Sequence, residues 1–368
     1  MKRVGTLLTA GAMLAAAAAP AAAEIRIAVA GPMSGSLALL GVQIRSGAEA
    51  AVAAINESGG LLGEEVVLEV ADDACNADRA EALANQLAGA DIVFVVGHLC
   101  SAPAIAASQV YAAEEIIQIA PGAPDPRFTE ERPGPGVFRL FGREDDQGRV
   151  IAEMLAEQPA DDFIAVIDDR SPYGSRLADW VLDALDDIGR EPDLVDSYSV
   201  ADPDIPGLVN RLRAAGINAV FVGGTAEDVA AIRRAMVEAD YEPLLIGGDV
   251  LADTAFPELA GDAATGILFP YQPDFTGEPE AADAVAAIAA GNGSPGGFAL
   301  YAYAAVEVWA EAVRQIGALD YGDLVATISE GTFDTVVGTI GFNDIGGFSD
   351  IGWVWYRWGA STFERVAP

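Results

Sequence analysis

Basic residues are scarce in this chain, and lysine is almost absent from it. Lys2 is the only lysine in 368 residues, and Lys and Arg together number 20 against 56 Asp and Glu, which gives a net charge of −36. Nucleic-acid binding requires a basic face that neutralises phosphates, so this composition excludes nucleic acid as a partner. It argues equally against binding to an anionic membrane surface. A Walker loop is also excluded, because that motif requires a lysine.

Histidine is nearly absent too, and the motifs of common enzyme classes are missing. His98 is the only histidine, and the chain contains no G-x-S-x-G nucleophile elbow that would accompany it in a catalytic triad. No G-x-G-x-x-G follows the first predicted strand, where a dinucleotide-binding fold carries it. We therefore expect a protein that is not an enzyme, with no catalytic residue and no cofactor.

The first 23 residues have the features of a cleaved signal peptide. Lys2 and Arg3 form a short basic start, Val4–Ala19 is apolar and rich in alanine, and Ala21–Ala23 supplies the small residues that signal peptidase requires. A retained membrane anchor is the alternative, because the apolar run reaches the length of a bilayer span. Alanine is only weakly apolar, however, and a site of small residues lies where an anchor would have flanking charges. We predict cleavage after Ala23 and a periplasmic protein.

Short apolar runs alternate with helical patterns of about 12 to 18 residues, which is typical of parallel sheets built from β-α-β units. The runs are apolar nearly throughout, as strands are when helices cover both faces of a sheet. They form two successive series, so we predict an α/β fold with two doubly wound lobes. The predicted strands are Ile25–Ala30, Val66–Ala71, Ile92–Val96, Ile116–Ala120 and Val137–Phe141, followed by Phe163–Asp168, Leu194–Val200, Ala219–Val222, Leu244–Ile246 and Ile267–Phe269.

The chain is predicted to pass between these lobes more than once. Residues 139–148 are polar and charged and separate the two series, and residues 271–280 contain the prolines and glycine of a loop. The segment Trp353–Val366 contains three tryptophans in a β-like pattern and is interpreted as a final strand pair that is structural rather than ligand-contacting. The predicted bounds are 1–23 for the signal peptide, 24–142 plus 272–345 for lobe 1, and 143–271 plus 346–368 for lobe 2.

Cys75 and Cys100 are the only cysteines of the chain. In an oxidising compartment an even pair is typical of a disulfide. The alternative is that Cys75, His98 and Cys100 bind zinc together with Asp72 or Asp73. The spacing lacks the C-x-x-C or H-x-x-x-H pattern of many zinc sites, so we favour the disulfide and expect no metal.

The carboxyl ends of the predicted strands are the candidate binding site, because ligands of open parallel sheets bind there. Several of these ends combine glycines with a polar or aromatic side chain, as a small-molecule cleft does. They are residues 32–36, 72–75, 97–101 and 121–124 in the first lobe, and 169–173, 223–225 and 247–249 in the second.

Ser101 and Asp249 are the most informative residues at these ends. Ser101 precedes Ala102-Pro103, and proline favours the first turn of a helix, so Ser101 is predicted at or beside a helix cap. The backbone N–H groups and the dipole of such a helix start attract a carboxylate, although Ser101 can also be a cap alone. Asp249 is either a turn residue or the counter-ion of a ligand cation. Together the two residues suit a zwitterionic ligand, and the simplest ligand of this kind is an amino acid.

Several segments resemble the leucine/isoleucine/valine-binding proteins of bacterial ABC importers. The most specific are Asp72-Asp73-Ala74-Cys75 and Gly97-His98-Leu99-Cys100-Ser101. The resemblance implies a type I periplasmic binding fold, in which two α/β lobes are joined by a hinge with three crossings and close around the ligand. Weaker matches extend it over essentially the whole mature chain: Ile27–Gly35, Tyr173-Gly174, Val222-Gly223-Gly224 and Tyr303-Ala304-Ala305.

The resemblance also implies a disulfide between Cys75 and Cys100. On the chain-entropy model, closing a loop of about 25 residues stabilises a fold by roughly 3 kcal/mol. The disulfide would also hold the Ser101 loop in place, and such preorganisation favours ligand binding.

The resemblance implies roles for individual residues of the cleft. In this sequence they are Ser101 for the ligand carboxylate, Gly122 for a backbone contact, Tyr173 as an aromatic of the side-chain pocket, Asp249 for the ammonium, and Phe298 near a pocket aromatic.

Three positions depart from the family pattern. Pro124 replaces a threonine that donates its hydroxyl and its amide to the ligand, and proline can donate neither. Thr225 replaces a tyrosine of the second lobe, and Leu40 replaces a pocket tyrosine near the first loop. Each lost donor weakens amino-acid binding by about 1–3 kcal/mol if nothing replaces it.

The leading hypothesis is a monomeric substrate-binding protein that captures a small amino acid, branched-chain by family default, and delivers it to the membrane permease of an ABC transporter. One alternative keeps the fold but has an amide, a urea-like compound or an aromatic carboxylate as ligand. The other is a sensor domain that reports its ligand to a membrane receptor.

Overall fold

Two mainly parallel sheets form the framework of the protein, and we call each sheet with the elements packed on it a lobe. The computed structural model describes residues 24–198, 204–253, 255–349 and 352–366. The predicted signal peptide and the end of the predicted strand Leu194–Val200 lie outside these residues.

The sheet of lobe 1 is built from the first part of the chain. Its elements are β1 (Glu24–Gly31), α1 (Ala38–Glu57), β2 (Glu65–Asp72), α2 (Ala77–Ala88), β3 (Phe94–Gly97), α3 (Ser101–Ala113), β4 (Ile117–Ala120), α4 (Arg127–Glu130) and β5 (Val137–Arg139). The five strands are parallel in the order β2-β1-β3-β4-β5. The winding reverses between β1 and β3, which opens a crevice at their carboxyl ends.

The sheet of lobe 2 begins after the chain leaves β5. Its elements are α5 (Glu144–Ala156), β6 (Phe163–Asp168), α6 (Pro172–Ile188), β7 (Leu194–Ser197), α7 (Ile205–Ala214), β8 (Ile217–Gly223), α8 (Ala226–Glu238), β9 (Leu244–Gly247), α9 (Phe256–Ala260) and β10 (Leu268–Tyr271), with a 3₁₀ turn at Asp249–Ala252. The strands β6 to β10 are parallel, and β10 ends at the point where the chain returns to lobe 1.

The last hundred residues contribute to both lobes. The helices α10 (Ala282–Ala290), α11 (Ala299–Ile316) and α12 (Tyr321–Glu330) and the hairpin β11 (Thr332–Thr335)–β12 (Gly338–Gly341) belong to lobe 1. The antiparallel pair β13 (Val354–Trp358) and β14 (Phe363–Arg365) then extends the sheet of lobe 2 next to β10. The sheet order there is β14-β13-β10-β9-β8-β6-β7.

Helices cover both faces of each sheet. In β1, Ile27 and Val29 point into one buried cluster, whereas Ala28 and Ala30 point into another on the opposite face. The strand β6 alternates in the same way between two clusters of lobe 2. This packing explains the continuous apolar runs in the sequence, and it confirms the predicted α/β fold of two doubly wound lobes.

Some element bounds differ from the predicted ones. The helix α1 begins at Ala38, six residues before the predicted start at Ile44. The strand β3 begins at Phe94 rather than Ile92, because Asp91 has a left-handed backbone with φ of 56°. The strand β10 extends to Tyr271, two residues beyond the predicted end. This last difference matters for the binding site.

The helix α1 is long and apolar enough to span a membrane, judged by length and composition within the described residues. Its residues Ile44, Ala48 and Ile55 are nevertheless buried in the core of lobe 1. A Cβ atom on Gly47 would lie 1.9 Å from the carbonyl oxygen of Ala299, so α1 and α11 pack backbone against backbone. We therefore interpret α1 as a core helix.

Glu307 places a carboxyl group inside lobe 1. It lies on α11, and its Oε2 accepts a hydrogen bond of 2.9 Å from the N–H of Val336 in the turn of the β11–β12 hairpin. Burial raises the pKa of Glu307 to about 7, although this N–H and Arg314 act in the opposite direction. Between its unfolded and folded pKa values, the folded protein holds a proton that the unfolded chain has released, so stability falls as pH rises through this window.

Replacing Glu307 with Gln should therefore stabilise the protein by roughly 2–3 kcal/mol at pH 8 and by much less at pH 5. Glutamine keeps an oxygen for Val336 but has no charge to bury. Urea unfolding of both proteins at the two pH values measures the difference. Glu311→Gln, a change of an exposed side chain on the same helix, is the control. An equal effect of Glu307→Gln at both pH values would contradict this interpretation.

Candidate functional site

A cleft of about 750 Å³ lies between the two lobes, at the carboxyl ends of strands from both sheets. On the lobe 1 side, Leu99 and Gly122 line it just after β3 and β4. On the lobe 2 side, Asp249 and Tyr271 line it at the ends of β9 and β10. The cleft therefore lies at strand ends of both sheets, where the sequence predicts a binding site.

The start of α3 supplies hydrogen-bond donors beside this cleft. Ser101 is the first residue of the helix, and Cys100 before it has an extended backbone. The N–H groups of Ser101 and Ala102 have no partner within the helix, Pro103 has no N–H, and the N–H of Ala104 bonds to the carbonyl of Cys100 at 3.0 Å. The helix thus presents two N–H groups and the positive end of its dipole, which suits a carboxylate.

The loop after β4 packs tightly against this helix start. The N–H of Ala123 donates to the carbonyl of Leu99 at 2.8 Å, and the N–H of Asp125 donates to Ser101 Oγ at 3.2 Å. A Cβ atom on Gly122 would lie 2.6 Å from the carbonyl oxygen of Leu99, so only glycine fits there. The predicted contacts of Ser101 and Gly122 therefore belong to one connected loop pair.

The fully buried side chain of Arg139 holds the same loop in place by hydrogen bonds. Arg139 donates to the carbonyls of Ala123 at 3.3 Å and Asp125 at 2.9 Å, and to Thr129 Oγ1 at 2.8 Å. Burial lowers the pKa of its guanidinium to about 10, so it remains charged at neutral pH. Sequence reasoning missed Arg139, because a buried arginine at the end of a strand looks the same in a sequence as an exposed one.

Two links join the loop after β2 to the loop after β3. Cys75 and Cys100 form a disulfide with their Cα atoms 5.6 Å apart, so the predicted bridge is confirmed and the zinc alternative is wrong. Beside it, His98 Nδ1 lies 2.6 Å from Asp73 Oδ2, and His98 Nε2 lies 3.1 Å from the hydroxyl of Tyr111. All three of these side chains are fully buried. The histidine is therefore part of a buried polar chain behind the cleft.

Replacing His98 with Leu should destabilise the protein by about 3 kcal/mol or more, because it leaves the buried Asp73 carboxylate without its partner. The double variant Asp73→Asn/His98→Leu should be more stable than His98→Leu alone, because asparagine carries no charge and still accepts from the N–H of Cys75. Urea unfolding of both variants and the wild type measures this order. A double variant less stable than the single one would show that no unpaired charge is involved.

Asp249 is held at the cleft by a tyrosine behind it. The hydroxyl of Tyr173 donates to Asp249 Oδ1 at 2.6 Å. Burial, with the charge of Asp249 next in size, raises the pKa of Tyr173 well above its usual value, so the hydroxyl stays a donor. A Cβ atom on Gly248 would lie 2.3 Å from that hydroxyl, so glycine is required for the contact. The second oxygen of Asp249 makes no hydrogen bond to any described residue.

The charged groups that line the cleft are all acidic. They are Asp249, which is half-buried, and Asp253 and Asp274, which are exposed at its rim. No arginine, lysine or histidine lines the cleft in the part of the chain that the structure describes. Nearby, burial raises the pKa of Glu144, and Asp249 adds to this while Arg176 opposes it. The lobe 2 side therefore favours a cation over an anion.

Aromatic rings form much of the remaining lining. Phe298 lines the cleft on the lobe 1 side and Phe141 lines it at the hinge, and the centres of their rings are 5.2 Å apart. From the final strand pair, Tyr356 and Phe363 also line the cleft. The predicted strand pair is therefore confirmed. The segment is not purely structural, however: its tryptophans do not line this cleft, but Tyr356 and Phe363 do.

Gln272 lies where the chain crosses between the lobes. It is 2% exposed, and neither its amide nitrogen nor its amide oxygen has a hydrogen-bond partner among the described residues. A Cβ atom on Gly142 would lie 2.3 Å from Gln272 Nε2 and 3.0 Å from Trp353 Nε1, so three crossing segments meet there. Trp353 Nε1 donates to the carbonyl of Arg143 at 2.8 Å. The hinge therefore contains a buried amide that also lines the cleft.

The structure brings most of the predicted site residues together. Ser101 and Tyr173 lie directly behind the lining. Thr225 does not approach it: this exposed residue caps α8 by accepting the N–H of Asp228 at 3.2 Å. A ligand contact by Thr225 stays a prediction that these contacts do not support. The predicted residues that line the cleft are Leu40, Gly122, Pro124, Asp249 and Phe298.

Sequence reasoning missed three tyrosines of the lining. Tyr271 lies two residues after the end of the predicted strand Ile267–Phe269, so a longer predicted strand would have placed it at a strand end. Tyr301 lies on a helix and Tyr356 on an antiparallel strand, and no strand-end rule points to either.

Comparison with known proteins gives consistent matches over most of the described chain. The family model of periplasmic binding proteins matches residues 24–348. The Leu/Ile/Val-binding protein homolog 1 of Brucella abortus is 33% identical over 337 residues, covering 91% of each chain. The leucine-, isoleucine-, valine-, threonine-, and alanine-binding protein of Pseudomonas aeruginosa is 32% identical, covering 92% of this chain and 91% of its own.

A solved structure supports the same fold. The ABC transporter substrate-binding protein from Desulfitobacterium hafniense in complex with Leu superimposes with a TM-score of 0.76 at 26% identity. The match covers 94% of this chain and 100% of that one.

Proposed function

The chain belongs to the periplasmic binding protein family, and on that premise we propose that it is the substrate-binding protein of an ABC importer that binds a small amino acid of the branched-chain type. The family consists of substrate-binding proteins rather than enzymes. In this proposal the protein is secreted to the periplasm, captures its ligand between the lobes and delivers it to a membrane permease.

The observation that carries the proposal is the opposite polarity of the two cleft walls. On lobe 1, α3 begins two residues after the lining residue Leu99 and has the N–H groups of Ser101 and Ala102 free at its positive end. Lobe 2 presents the carboxylate of Asp249, one oxygen of which has no hydrogen bond to a described residue. A molecule with a carboxylate and an ammonium group matches both walls at once, and an α-amino acid has the two groups close together.

The rest of the lining suits an apolar side chain. Leu40, Leu99 and Phe298 contribute aliphatic and aromatic surface from lobe 1. Burying a leucine side chain among such groups contributes about 1.5–3 kcal/mol to binding. The relatives named for leucine, isoleucine and valine support this choice of ligand class.

Pro124 limits how strongly an amino acid can bind. It lines the cleft, lacks an N–H, and uses its carbonyl to accept the N–H of Glu144 at 3.0 Å. The affinity must therefore come from the remaining groups. An aromatic carboxylate without an ammonium is disfavoured, because it would leave Asp249 unpaired and no basic side chain lines the cleft in the described residues.

Calorimetric titration should show binding of leucine, isoleucine or valine. Leucinamide, which lacks the carboxylate, and 4-methylpentanoate, which lacks the ammonium, should each bind at least about ten-fold more weakly, because each leaves one wall unpaired. Binding of 4-methylpentanoate or benzoate equal to that of leucine would refute the role of Asp249. Preferred binding of leucinamide would instead show that the cleft prefers an uncharged amide group to a carboxylate.

Asp249→Asn should weaken leucine binding by about ten-fold to a hundred-fold, since it removes the charge that pairs with the ammonium. Ser101→Ala should weaken it less, because the two N–H groups of α3 remain. Asp179→Asn, the same change at an exposed position of α6 in the same lobe, is the control. Unchanged binding by Asp249→Asn would remove Asp249 from the site.

Transport and location have their own tests. Protein from the periplasmic fraction of the source organism should begin at Glu24 when its N-terminus is sequenced. Deletion of the gene should reduce uptake of labelled leucine by intact cells. Normal uptake together with tight binding in solution would favour a sensor over an importer component.

A further inference from the structure

We propose that the hydroxyl of Tyr271 is a second binding group for the ligand ammonium, beside Asp249. The inference rests on the proposed function, because it concerns how an amino acid is held. In this proposal, β10 supplies a hydrogen bond to the ligand that neither Pro124 nor Thr225 can provide.

The packing of β10 against the turn after β9 brings Tyr271 close to Asp249. The strands β9 and β10 are parallel neighbours, and Ile246 pairs with Leu268. β9 ends at Gly247, and the 3₁₀ turn that begins with Asp249 packs against β10, whose last residue is Tyr271. Both residues line the cleft. A group that binds one of them is therefore within reach of the other.

An ammonium group needs more acceptors than Asp249 supplies. A primary ammonium has three N–H donors. Asp249 Oδ1 already accepts the hydroxyl of Tyr173 at 2.6 Å, which leaves Oδ2 as its open oxygen. Pro124 has no hydroxyl to add, and Thr225 lies at the cap of α8. At least one further acceptor is needed to satisfy the charge, and the two lining residues that directly follow one another at the end of β10, Tyr271 and Gln272, each have an oxygen with no bond to a described residue.

Among the tyrosines that line the cleft, Tyr271 is the one whose hydroxyl bonds to no described residue. The hydroxyl of Tyr301 donates to the carbonyl of Pro273 at 3.0 Å. The hydroxyl of Tyr356 donates to the carbonyl of Gln272 at 3.3 Å and accepts the N–H of Asp274 at 3.1 Å. Those two hydroxyls stabilise the hinge, whereas that of Tyr271 is open to a ligand.

The surroundings of Tyr271 keep its hydroxyl neutral and its ring in place. Burial raises the pKa of Tyr271 to about 12, with the charge of Asp249 as the next cause. Its ring packs edge-on against Tyr356, with ring centres 6.3 Å apart. A neutral hydroxyl can accept one N–H of the ammonium with its oxygen while it donates its own proton to a carboxylate.

The experiment compares leucine with N-methylleucine in the wild type and in Tyr271→Phe. The variant keeps the ring and loses the hydroxyl alone. Leucine affinity should fall by about ten-fold or more. N-methylleucine has one N–H donor fewer, so its affinity should fall by a clearly smaller factor. Calorimetry measures all four dissociation constants. Tyr241→Phe, which removes a hydroxyl bonded at 2.7 Å to the carbonyl of Ile217 outside the cleft lining, is the control.

Three results would overturn the inference. Unchanged leucine affinity in Tyr271→Phe would show that the hydroxyl does not contact the ligand. An equal fall for both ligands would show that it contacts a group other than the ammonium. Failure of the wild type to bind any amino acid would overturn the proposed function and this inference with it, and that result appears before any variant is made. A thermal unfolding curve of the variant confirms that it folds.

Discussion

A parallel sheet that is covered by helices on both faces has only its edges free for binding. In both lobes the strands are apolar on both faces, so no cavity can open inside a lobe without loss of its core. Many of the polar groups that line the cleft therefore come from residues that follow a strand, although Tyr301 lies on a helix and Tyr356 within β13. The cleft exists because the carboxyl ends of two such sheets face one another, and each wall is assembled from loops of different strands.

Such loops must be held by contacts that the ligand does not provide. On lobe 1 the Ser101 loop is linked through the Cys75–Cys100 disulfide and through Asp73 and His98. The loop after β4 is held by the buried guanidinium of Arg139. These links lie behind the cleft and leave the N–H groups of α3 unpaired towards it. Preorganisation of this kind reduces the conformational entropy that binding would otherwise cost.

Much of this arrangement could be predicted from local patterns. The hydrophobic periodicity of the sequence predicts the two series of strands and the location of Ser101 and Asp249 at strand ends. The oxidising compartment favours the disulfide, and the residues of the turns indicate where the strands end. Tyr271 could not be found in this way, because Pro270 discourages extension of a strand and the true end of β10 depends on its pairing with β13. Tyr356 required the same long-range pairing.

Thr225 shows a different limit. A resemblance assigns a position in the chain, but the direction of a side chain depends on local hydrogen bonds. The hydroxyl of Thr225 is used by the first turn of α8, since it accepts the N–H of Asp228 and donates to Asp228 Oδ2 at 3.0 Å. A helix cap of this kind contributes about 1 kcal/mol to stability. Thr225, which stands where the resemblance implies a tyrosine, thus stabilises α8 and does not extend towards the cleft.

In the proposed function, the hinge determines how the contacts of the two lobes contribute to ligand binding. Lobe closure is an equilibrium between conformations that differ by a few kcal/mol, and a ligand shifts it only by its differential affinity. The amide of Gln272 is buried at the crossing, lines the cleft, and bonds to no described residue. The segments that meet at Gly142, Gln272 and Trp353 therefore belong to the hinge and, through Gln272, to the wall of the cleft. A ligand that bonds to this amide would contact the hinge directly, so binding and lobe closure would be coupled through the same side chain.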